Sequence, residues 1–481
     1  MPQLKIASRS STIIEQVKHH IRQKGWLPGE RIPSIRKMCS TASVSPATVY
    51  KAYEQLEIEG WIYAKPQSGY YVAAHFNQLT PSPSRPLIQV SNQAISINRH
   101  VFEVLSAIKK PDVIPFGSAF PDPSLFPIPS LGRLLSRTIK TMPINSGITD
   151  LPPGCLELRR VIAQRYINEG MTVCADDIVI TSGATEALGL SLAALTKPGD
   201  TIAVESPVFY GALQAIERLH LNVIEIPSSI CSGIDIDALT IALEQQSIKA
   251  CWLMSHFQNP TGASLNVEKQ QALYELLAGQ GIPIIEDDVY GELYFGQKKP
   301  AAMKAIDTKG LVLHCSSFSK CLAPGFRVGW VIAGRYNKQI EELQFMSTLS
   351  VATPNQQVLA HYVRNGGYEH HLRQLRRILA HRLYRIKEAI EAFFPEGTSI
   401  TSPKGGYFLW VTLPFAIDTS ELLFELLEKH QISIAPGTLF SAQSQYKHCM
   451  RINGSYPFDD NSEKALRVIA NLLRQYQSAP Q

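Results

Sequence analysis

From residue 111 onward, short apolar runs alternate with stretches of helical periodicity, and this alternation limits the possible folds more than any other feature. The clearest runs are Asp177–Thr181, Thr201–Val204, Cys251–Met254, Pro283–Glu286 and Leu311–Cys315. Continuous runs rich in β-branched residues fit strands that are buried on both faces, and strands separated by helices form mainly parallel sheets. The sequence therefore predicts an α/β domain over residues 111–481 with a mainly parallel central sheet.

The first 75 residues follow a different pattern, which predicts three helices and then a hairpin. Apolar residues recur at helical spacing from Ile13 to Ile21, and two more helices are expected to begin after Ser34 and Ser45, which can act as N-caps. The apolar segments 61–64 and 70–72 flank a polar turn, as in a β-hairpin. Helix, turn, helix and hairpin together predict a winged helix-turn-helix, with an ordinary three-helix bundle as the alternative.

Residues 76–110 are interpreted as a linker followed by a connecting helix. Three prolines and many polar residues occur near its start, and an amphipathic helix is expected around Ile95–Ala107. The chain thus divides into a DNA-binding domain (1–75), this linker (76–110) and the α/β domain (111–481).

The formal net charge of +5 is concentrated in the first 75 residues. They contain ten lysines and arginines, five glutamates and no aspartate, so the rest of the chain carries no net charge. This asymmetry favours an anionic partner for the N-terminal domain, nucleic acid first, although a chance surplus on a solvated surface would look the same.

Composition argues against several other classes of protein. Apolar residues make up 45% and charged residues 18% of the chain, which is typical of a globular protein. The sequence has no apolar run of about eighteen residues for a membrane span and no signal peptide at its start. The eight cysteines are scattered without a C-x-x-C pair, so we expect no metal site and a cytoplasmic location.

Four short motifs in the α/β domain fit the chemistry of pyridoxal 5′-phosphate (PLP). Lys320, in S-F-S-K, can form a Schiff base with the cofactor, while Ser317 and Arg327 can hold its phosphate. A solvent-exposed lysine after a strand would explain S-x-S-K alone, but Arg327 within G-x-R-x-G-W favours the cofactor.

The other three motifs are less specific when each is taken alone. Asp287 follows an apolar run and can keep the ring nitrogen protonated, with Tyr290 at the ring hydroxyl, although an acidic pair can also bind a metal or cap a strand. Asn259, in N-P-T-G, can hydrogen-bond the ring oxygen or simply form a turn. The S-G-A-T-E segment at 182–186 can offer helix N-terminal N–H groups to phosphate, or only make a tight turn.

The order of these motifs resembles the fold-type I PLP-dependent aminotransferases over roughly residues 111–475. This resemblance implies that Lys320, Asp287 and Tyr290 are catalytic and that Arg451, in M-R-I-N-G, binds a substrate α-carboxylate beside Ala119. The implied PLP contacts are Lys320, Asp287, Asn259, Tyr290, Phe209 stacked on the ring, and Gly183, Ala184, Thr185, Ser317 and Arg327 around the phosphate.

The segment LPGERIPSIRKMCSTASVSPATVYKAYEQLEIEGWIYAKPQSGYYV resembles the winged helix-turn-helix of the GntR family of bacterial repressors. The resemblance covers nearly all of residues 11–73. The DNA contacts that it implies are Arg36, Ser45, Ala47, Thr48, Tyr50, Ser68 and Gly69.

Three positions depart from the family patterns. Thr149 replaces a tyrosine that reaches the neighbouring subunit's phosphate in relatives, and Ala119 replaces the glycine of the G-x-P substrate loop. Both changes weigh against fast catalysis more than against cofactor binding. Pro46 stands where some relatives have a basic residue that contacts DNA.

Joined in one chain, the two domains resemble the MocR subfamily of GntR-type regulators. The resemblance implies a homodimeric transcription regulator that binds double-stranded operator DNA and senses PLP or a small amino compound. The alternatives are an active aminotransferase with an accessory DNA-binding module, and a DNA-binding protein whose second domain only dimerises. The intact set of Lys320, Asp287, Asn259 and Arg327 argues against the last.

Overall fold

The computed structural model describes residues 9–22, 26, 29–58, 61–65, 68–73, 90–91 and 112–478. The chain forms two compact units, Met1–Ser82 and Pro83–Gln481. The predicted linker, apart from residues 90–91, and the predicted connecting helix lie outside the described residues. Within the described part of the chain, no helix is both long enough and apolar enough to cross a membrane.

The N-terminal unit is a three-helix bundle followed by an antiparallel hairpin. Its elements are α1 (Arg9–Arg22), α2 (Ile35–Ala42), α3 (Pro46–Ile58), β1 (Ile62–Lys65) and β2 (Gly69–Val72). The predicted caps have a local cause, because the Ser34 side chain accepts a hydrogen bond from Lys37 N at 3.3 Å and Ser45 does the same for Thr48 N. The elements thus follow the order that the sequence predicted.

One apolar core holds the N-terminal unit together. Val17 from α1, Val49 and Leu56 from α3 and Ile62 from the hairpin are fully buried in it. The Tyr53 hydroxyl donates to the Pro33 carbonyl at 2.7 Å, which ties α3 to the start of α2. This packing fixes the short second helix and the third helix as one rigid body.

A nine-stranded sheet forms the centre of the second unit. Its main path follows the order β3–β7–β6–β9–β10–β11–β12–β5, and β8 pairs with β7. The strands are β3 (Val90–Ser91), β5 (Ile178–Thr181), β6 (Thr201–Ser206), β7 (Asn222–Ser229), β8 (Gly233–Ile234), β9 (Ile248–Leu253), β10 (Ile284–Asp287), β11 (Val312–Ser317) and β12 (Gly329–Ile332). From β7 to β11 all neighbours are parallel, and β12 is antiparallel to both of its neighbours. This confirms the predicted α/β fold with a mainly parallel sheet.

Helices surround this sheet and lead into a smaller C-terminal sheet. The helices are α4 (Ile128–Thr141), α5 (Ser146–Thr149), α6 (Leu156–Asn168), α7 (Ala184–Leu195), α8 (Tyr210–Arg218), α9 (Ile236–Gln245), α10 (Val267–Gly279), α11 (Asn337–Ser347), α12 (Thr353–Arg364), α13 (Gly367–Phe393), α14 (Thr419–Glu425) and α15 (Asp460–Ser478). The smaller sheet has the order β13 (Ser399–Ile400), β14 (Phe408–Thr412), β17 (Cys449–Asn453) and β16 (Ala435–Pro436). A separate parallel pair joins β4 (Ile114–Pro115) to β15 (Ile432–Ser433).

Candidate cofactor site and DNA-binding surface

The predicted cofactor residues meet at one edge of the central sheet. Asp287 is the last residue of β10 and Ser317 the last of β11, while Gly183 and Asn259 follow β5 and β9. These four strands point in the same direction, so their carboxyl ends lie side by side. Ligands of open α/β sheets bind at this edge.

Lys320 lies on the loop after β11 and points into the protein. Its Nζ donates to the Ala119 carbonyl at 2.9 Å and lies 4.6 Å from the centre of the Phe120 ring. Burial, and after it the nearby Arg451 guanidinium, lower the pKa of Lys320 to about 7. A large fraction of this amine is therefore uncharged at neutral pH, as a nucleophilic lysine requires.

One oxygen of the buried Asp287 carboxylate lacks a hydrogen-bond partner. Asp287 is 1% exposed, and the oxygen without a partner is Oδ1. Burial raises the pKa of Asp287 to about 7. A buried, unpaired carboxylate oxygen at the strand end fits the protonated ring nitrogen of PLP, which would supply both a hydrogen and a positive charge.

Asn259 and Tyr290 lie next to each other beside Asp287. The Asn259 Nδ2 donates to the Tyr290 hydroxyl at 3.4 Å, and both side chains are buried. Burial raises the pKa of the Tyr290 phenol, so it stays protonated. The pair therefore offers N–H and O–H donors, the groups that the oxygen on the PLP ring needs.

The turn before α7 forms a cradle for an anion. Gly183 has a φ of +84°, and a Cβ at this position would lie 2.7 Å from Nη2 of Arg327. Ala184 and Thr185 open α7 without a side-chain cap, so backbone N–H groups of its first turn have no partner inside the helix. Arg327 donates to the Ser182 carbonyl at 3.2 Å and to the Ser319 hydroxyl at 3.5 Å. A guanidinium beside a helix N-terminus fits a phosphate.

Ser317 and Phe209 are the remaining residues predicted to contact the cofactor, and their positions support this role less directly. Ser317 is buried beside this cradle, and its Oγ accepts from Ser319 N at 3.3 Å. Phe209 precedes α8 and is half-buried, with its ring 4.6 Å from that of Tyr210. A Cβ at Gly211 would lie 2.4 Å from the Phe209 ring, so the glycine leaves room for it. Stacking of Phe209 on the cofactor stays a prediction.

Arg451 joins the C-terminal sheet to this site. Its guanidinium is fully buried on β17, with Nη1 donating to Asn259 Oδ1 at 2.8 Å and Nη2 to the Gly117 carbonyl at 2.7 Å. The rings of Phe408 and Phe440 lie 4.3 and 5.2 Å from it, while its Nε has no partner. A buried arginine with a free donor beside Lys320 fits a carboxylate ligand.

The sequence did not predict the part played by Tyr407. Its hydroxyl donates to the Ala119 carbonyl at 3.1 Å, so Tyr407 and Lys320 share one acceptor. Gly405, two residues earlier, allows close packing, because a Cβ there would lie 2.6 Å from the Phe257 ring. The glycine pair in K-G-G-Y-F was the only local signal of a close approach at this point.

The predicted DNA contacts lie on the helix-turn-helix and the hairpin. Arg36 on α2 is exposed, as are Ser45, Ala47 and Tyr50 around the start of α3, whereas Thr48 is half-buried. Tyr50 exposes 58% of its surface, unusual for an aromatic side chain in a small unit. At the hairpin tip the Ser68 hydroxyl lies 2.6 Å from that of Tyr71, and the Arg31 guanidinium packs against Gly69.

Two family models match successive parts of the chain. Residues 9–72 match the family of bacterial regulatory proteins named gntR, and residues 144–469 match aminotransferase class I and II. The uncharacterized HTH-type transcriptional regulator YdcR of Escherichia coli strain K12 is 46% identical over 96% of this chain and 98% of its own length. Aromatic-amino-acid aminotransferase 1 of Thermococcus litoralis is 30% identical over 78% of this chain and 91% of its own.

The fold of the second unit also occurs in solved aminotransferase structures. That of Pyrococcus horikoshii kynurenine aminotransferase is 30% identical, with a TM-score of 0.73 over 79% of this chain and 95% of the other. The fold and site therefore define a PLP-dependent, fold-type I domain joined to a DNA-binding helix-turn-helix. The chain belongs to the HTH-type transcriptional regulators that carry an aminotransferase class I and II domain, the MocR type.

Proposed function

We propose that the aminotransferase-like unit is a sensor, in which PLP or an amino compound that reacts with it changes the affinity for operator DNA. The observation that carries this proposal is the convergence of Lys320, Asp287, Asn259 and Arg327 at one edge of the sheet, in a chain that also carries a gntR-family domain. Burial lowers the pKa of Lys320 to about 7. A domain retained only for dimerisation would not need such a lysine.

Each site residue has a distinct part in this proposal. The uncharged Lys320 amine would attach the cofactor, Asp287 would keep a proton at its ring nitrogen, and Asn259 with Tyr290 would bind its ring oxygen. Arg327, Ser317 and the first turn of α7 (Gly183, Ala184 and Thr185) hold the phosphate. Arg451 binds the carboxylate of the amino compound beside Ala119. PLP, when bound, supplies an electron sink for the bonds at the amino carbon.

Aminotransferase turnover is the second candidate function. The buried Arg451 favours it, because an α-carboxylate ligand is what distinguishes an amino acid from other amines. Relatives named as an aromatic-amino-acid and a kynurenine aminotransferase suggest aromatic amino acids as the first compounds to test. Keto-acid formation from a panel of amino acids would distinguish turnover from sensing alone.

A homodimer with twofold symmetry is part of the proposal. Several large apolar side chains are exposed in the second unit, among them Ile148 on α5 and Met346 on α11, each 74% exposed. Exposed apolar side chains of this size favour a partner surface, and a second copy of the chain is the commonest partner. We expect a dimer in sedimentation experiments at micromolar concentration with PLP bound. A monomer under these conditions would contradict this assembly.

Operator affinity should depend on the state of the cofactor site. A ligand shifts an equilibrium only by its differential affinity for two states, and a coupling of about 1–3 kcal/mol corresponds to roughly 5–150-fold in DNA affinity. The measurement is a titration of an operator, selected from random DNA, against PLP-free protein, PLP-bound protein, and PLP-bound protein with each amino compound.

Lys320→Ala is the control for that titration, since it should reduce the difference between states without changing the DNA-binding unit. If the operator affinity is the same in every cofactor and ligand state, the sensor proposal fails. Aminotransferase turnover then becomes the leading function.

A further inference from the structure

Helix α13 carries a strongly basic segment. Residues 370–387 contain five arginines, three histidines and one lysine, and no acidic residue. Two of the arginines are mostly buried and each has a carboxylate partner, since Arg376 lies 3.1 Å from Glu292 and Arg382 lies 2.8 Å from Asp122. The arginines that the fold buries are thus neutralised, as buried charges require.

The outer side of the same helix has no such partners. Side chains four residues apart lie on one face of a helix. The residues on this face are Arg373, Arg377 and His381. All three are exposed, and within the part of the chain that the structure describes none has a hydrogen bond, an ion pair or a ring contact. The acidic residues that border the segment are engaged elsewhere, Glu369 with Arg165 and Glu388 with Tyr384.

A cavity at the start of α13 continues this row of basic groups. It has a volume of about 280 Å³ and is lined by residues of α4, by the end of α12 and by Gly367, the first residue of α13. A Cβ at Gly367 would lie 2.9 Å from the Tyr362 ring, so the glycine lets the two helices meet closely. Arg133 and Arg137 of α4 and His361 of α12 line the cavity, and α4 contains no acidic residue. We call Arg133, Arg137, His361, Arg373, Arg377 and His381 the basic face.

The first turn of α13 adds to the positive potential of the cavity. The helix begins after Gly366 without a side-chain cap, so N–H groups of its first turn have no acceptor inside the helix. The N-terminus of a helix also carries a partial positive charge. Two guanidinium groups, an imidazole and these N–H groups around one cavity fit a phosphate group.

The length of the basic face favours the backbone of duplex DNA over a small anion. From Gly367 to His381 the helix rises about 21 Å at 1.5 Å per residue, which corresponds to about six base pairs at 3.4 Å each. A small anion would occupy the cavity alone and leave Arg373 and Arg377 without a partner. Outside its first 75 residues the chain carries no net charge, so the basic face is a local feature. The gntR-family domain already gives the chain a DNA partner.

We propose that the basic face is a second DNA-contact surface, which binds the phosphate backbone of duplex DNA beside the operator. Contacts from arginine to phosphate position DNA without reading its sequence. The basic face would therefore add affinity but no sequence preference. The proposal requires a DNA-binding chain, and it does not require that the cofactor site act as a sensor.

The test is the affinity of the full-length protein for two DNA fragments that share one operator selected from random DNA. The short fragment contains the operator alone. The long fragment adds about 50 bp on each side, a stiff length compared with the persistence length of about 150 bp. Arg373→Ala combined with Arg377→Ala should weaken binding to the long fragment by about tenfold and lower the slope of log affinity against log salt by about two, because each phosphate contact releases about 0.9 counterion. Binding to the short fragment should not change.

Arg133→Ala combined with Arg137→Ala tests the cavity in the same way and should also weaken binding to the long fragment only. All four arginines are exposed, so neither double variant should lose folding stability, which thermal unfolding checks. Lys249→Ala combined with Lys298→Ala is the matched control, because it removes two exposed charges of the same unit outside the basic face. The control should bind both fragments as the wild-type protein does.

Three results would overturn the proposal. An equal loss of affinity for both fragments would mean that the arginines act on the operator-binding unit rather than on the neighbouring DNA. An equal loss in the lysine control would mean that only the net charge of the protein matters. Unchanged affinity for the long fragment in both arginine variants would exclude DNA as the partner of the basic face and favour an acidic protein instead.

Discussion

Replacing Lys320 with alanine is expected to abolish the visible absorption band that we expect from the PLP-loaded wild-type protein. The wild-type amine is buried, with a pKa lowered to about 7, and it lies among Ala119, Phe120 and Arg451, where only the side chain of residue 320 can bond to the cofactor. Borohydride should fix PLP to the wild-type protein and not to the variant. The measurement is the absorption spectrum before and after borohydride, with mass spectrometry of the peptide that contains residue 320.

Lys309→Ala is a suitable control, because the Lys309 side chain donates to the Ala278 carbonyl at 2.9 Å and lies outside the cofactor site. It should keep the visible band. Asp287→Ala should weaken PLP binding less than Lys320→Ala but remove any transamination, since the ring nitrogen loses its counter-charge. A Lys320→Ala protein with an unchanged band would mean that another amine holds PLP, and the assignment of Lys320 would be wrong.

The central sheet was predictable because its strands are buried on both faces. A buried parallel strand reads as a continuous apolar run, and each run from Asp177–Thr181 to Leu311–Cys315 overlaps a strand of the structure. Observed strands extend past several of the runs, as β11 does to Ser317, because their last residues are polar residues of the site. The apolar pattern therefore predicts the buried part of each strand but not its polar last residues, which belong to the site.

The contacts between distant segments were not predictable from local patterns. Tyr407 and Lys320 meet at the Ala119 carbonyl, and Arg451 meets Asn259, across separations of about 200 residues or more. The buried contacts of His314 with Glu286 and of His256 with Asp288 are similar, since both histidines lie in segments that carry no recognisable motif. Chain topology brings these groups together, and a single sequence contains no spacing rule for it.

In the N-terminal unit, patterns among neighbouring residues were sufficient to predict where the second and third helices begin. Ser34 and Ser45 cap helices as expected, since capping depends only on residues within one turn. The contact between Arg31 and Gly69 at the hairpin could not be predicted in this way, because it forms only after the strands pair. The DNA contacts themselves stay predictions, which the following variant tests.

Arg36→Ala is expected to weaken binding to the operator by about tenfold or more, the range for loss of one arginine contact to DNA. Arg36 is exposed on α2, in a unit that holds the whole net charge of +5, so its loss should cost little folding stability. If its contact is to a phosphate, the variant should also show a shallower dependence of affinity on salt, since one fewer counterion is released. The measurement is fluorescence anisotropy with labelled operator at several salt concentrations.

Lys18→Ala is the matched control, because it removes the same charge from the same unit. Lys18 on α1 lies 3.6 Å from Glu15 and 5.6 Å from the centre of the Trp61 ring, so it is engaged within the protein. If only net charge matters, the two variants should bind the operator equally weakly. If Arg36 contacts DNA directly, Arg36→Ala should bind the operator much more weakly than Lys18→Ala. The PLP absorption band should be the same in both, because neither residue belongs to the cofactor site. Equal losses of operator affinity would mean that Arg36 does not contact DNA directly. The candidate DNA-binding elements would then be α3 and the hairpin.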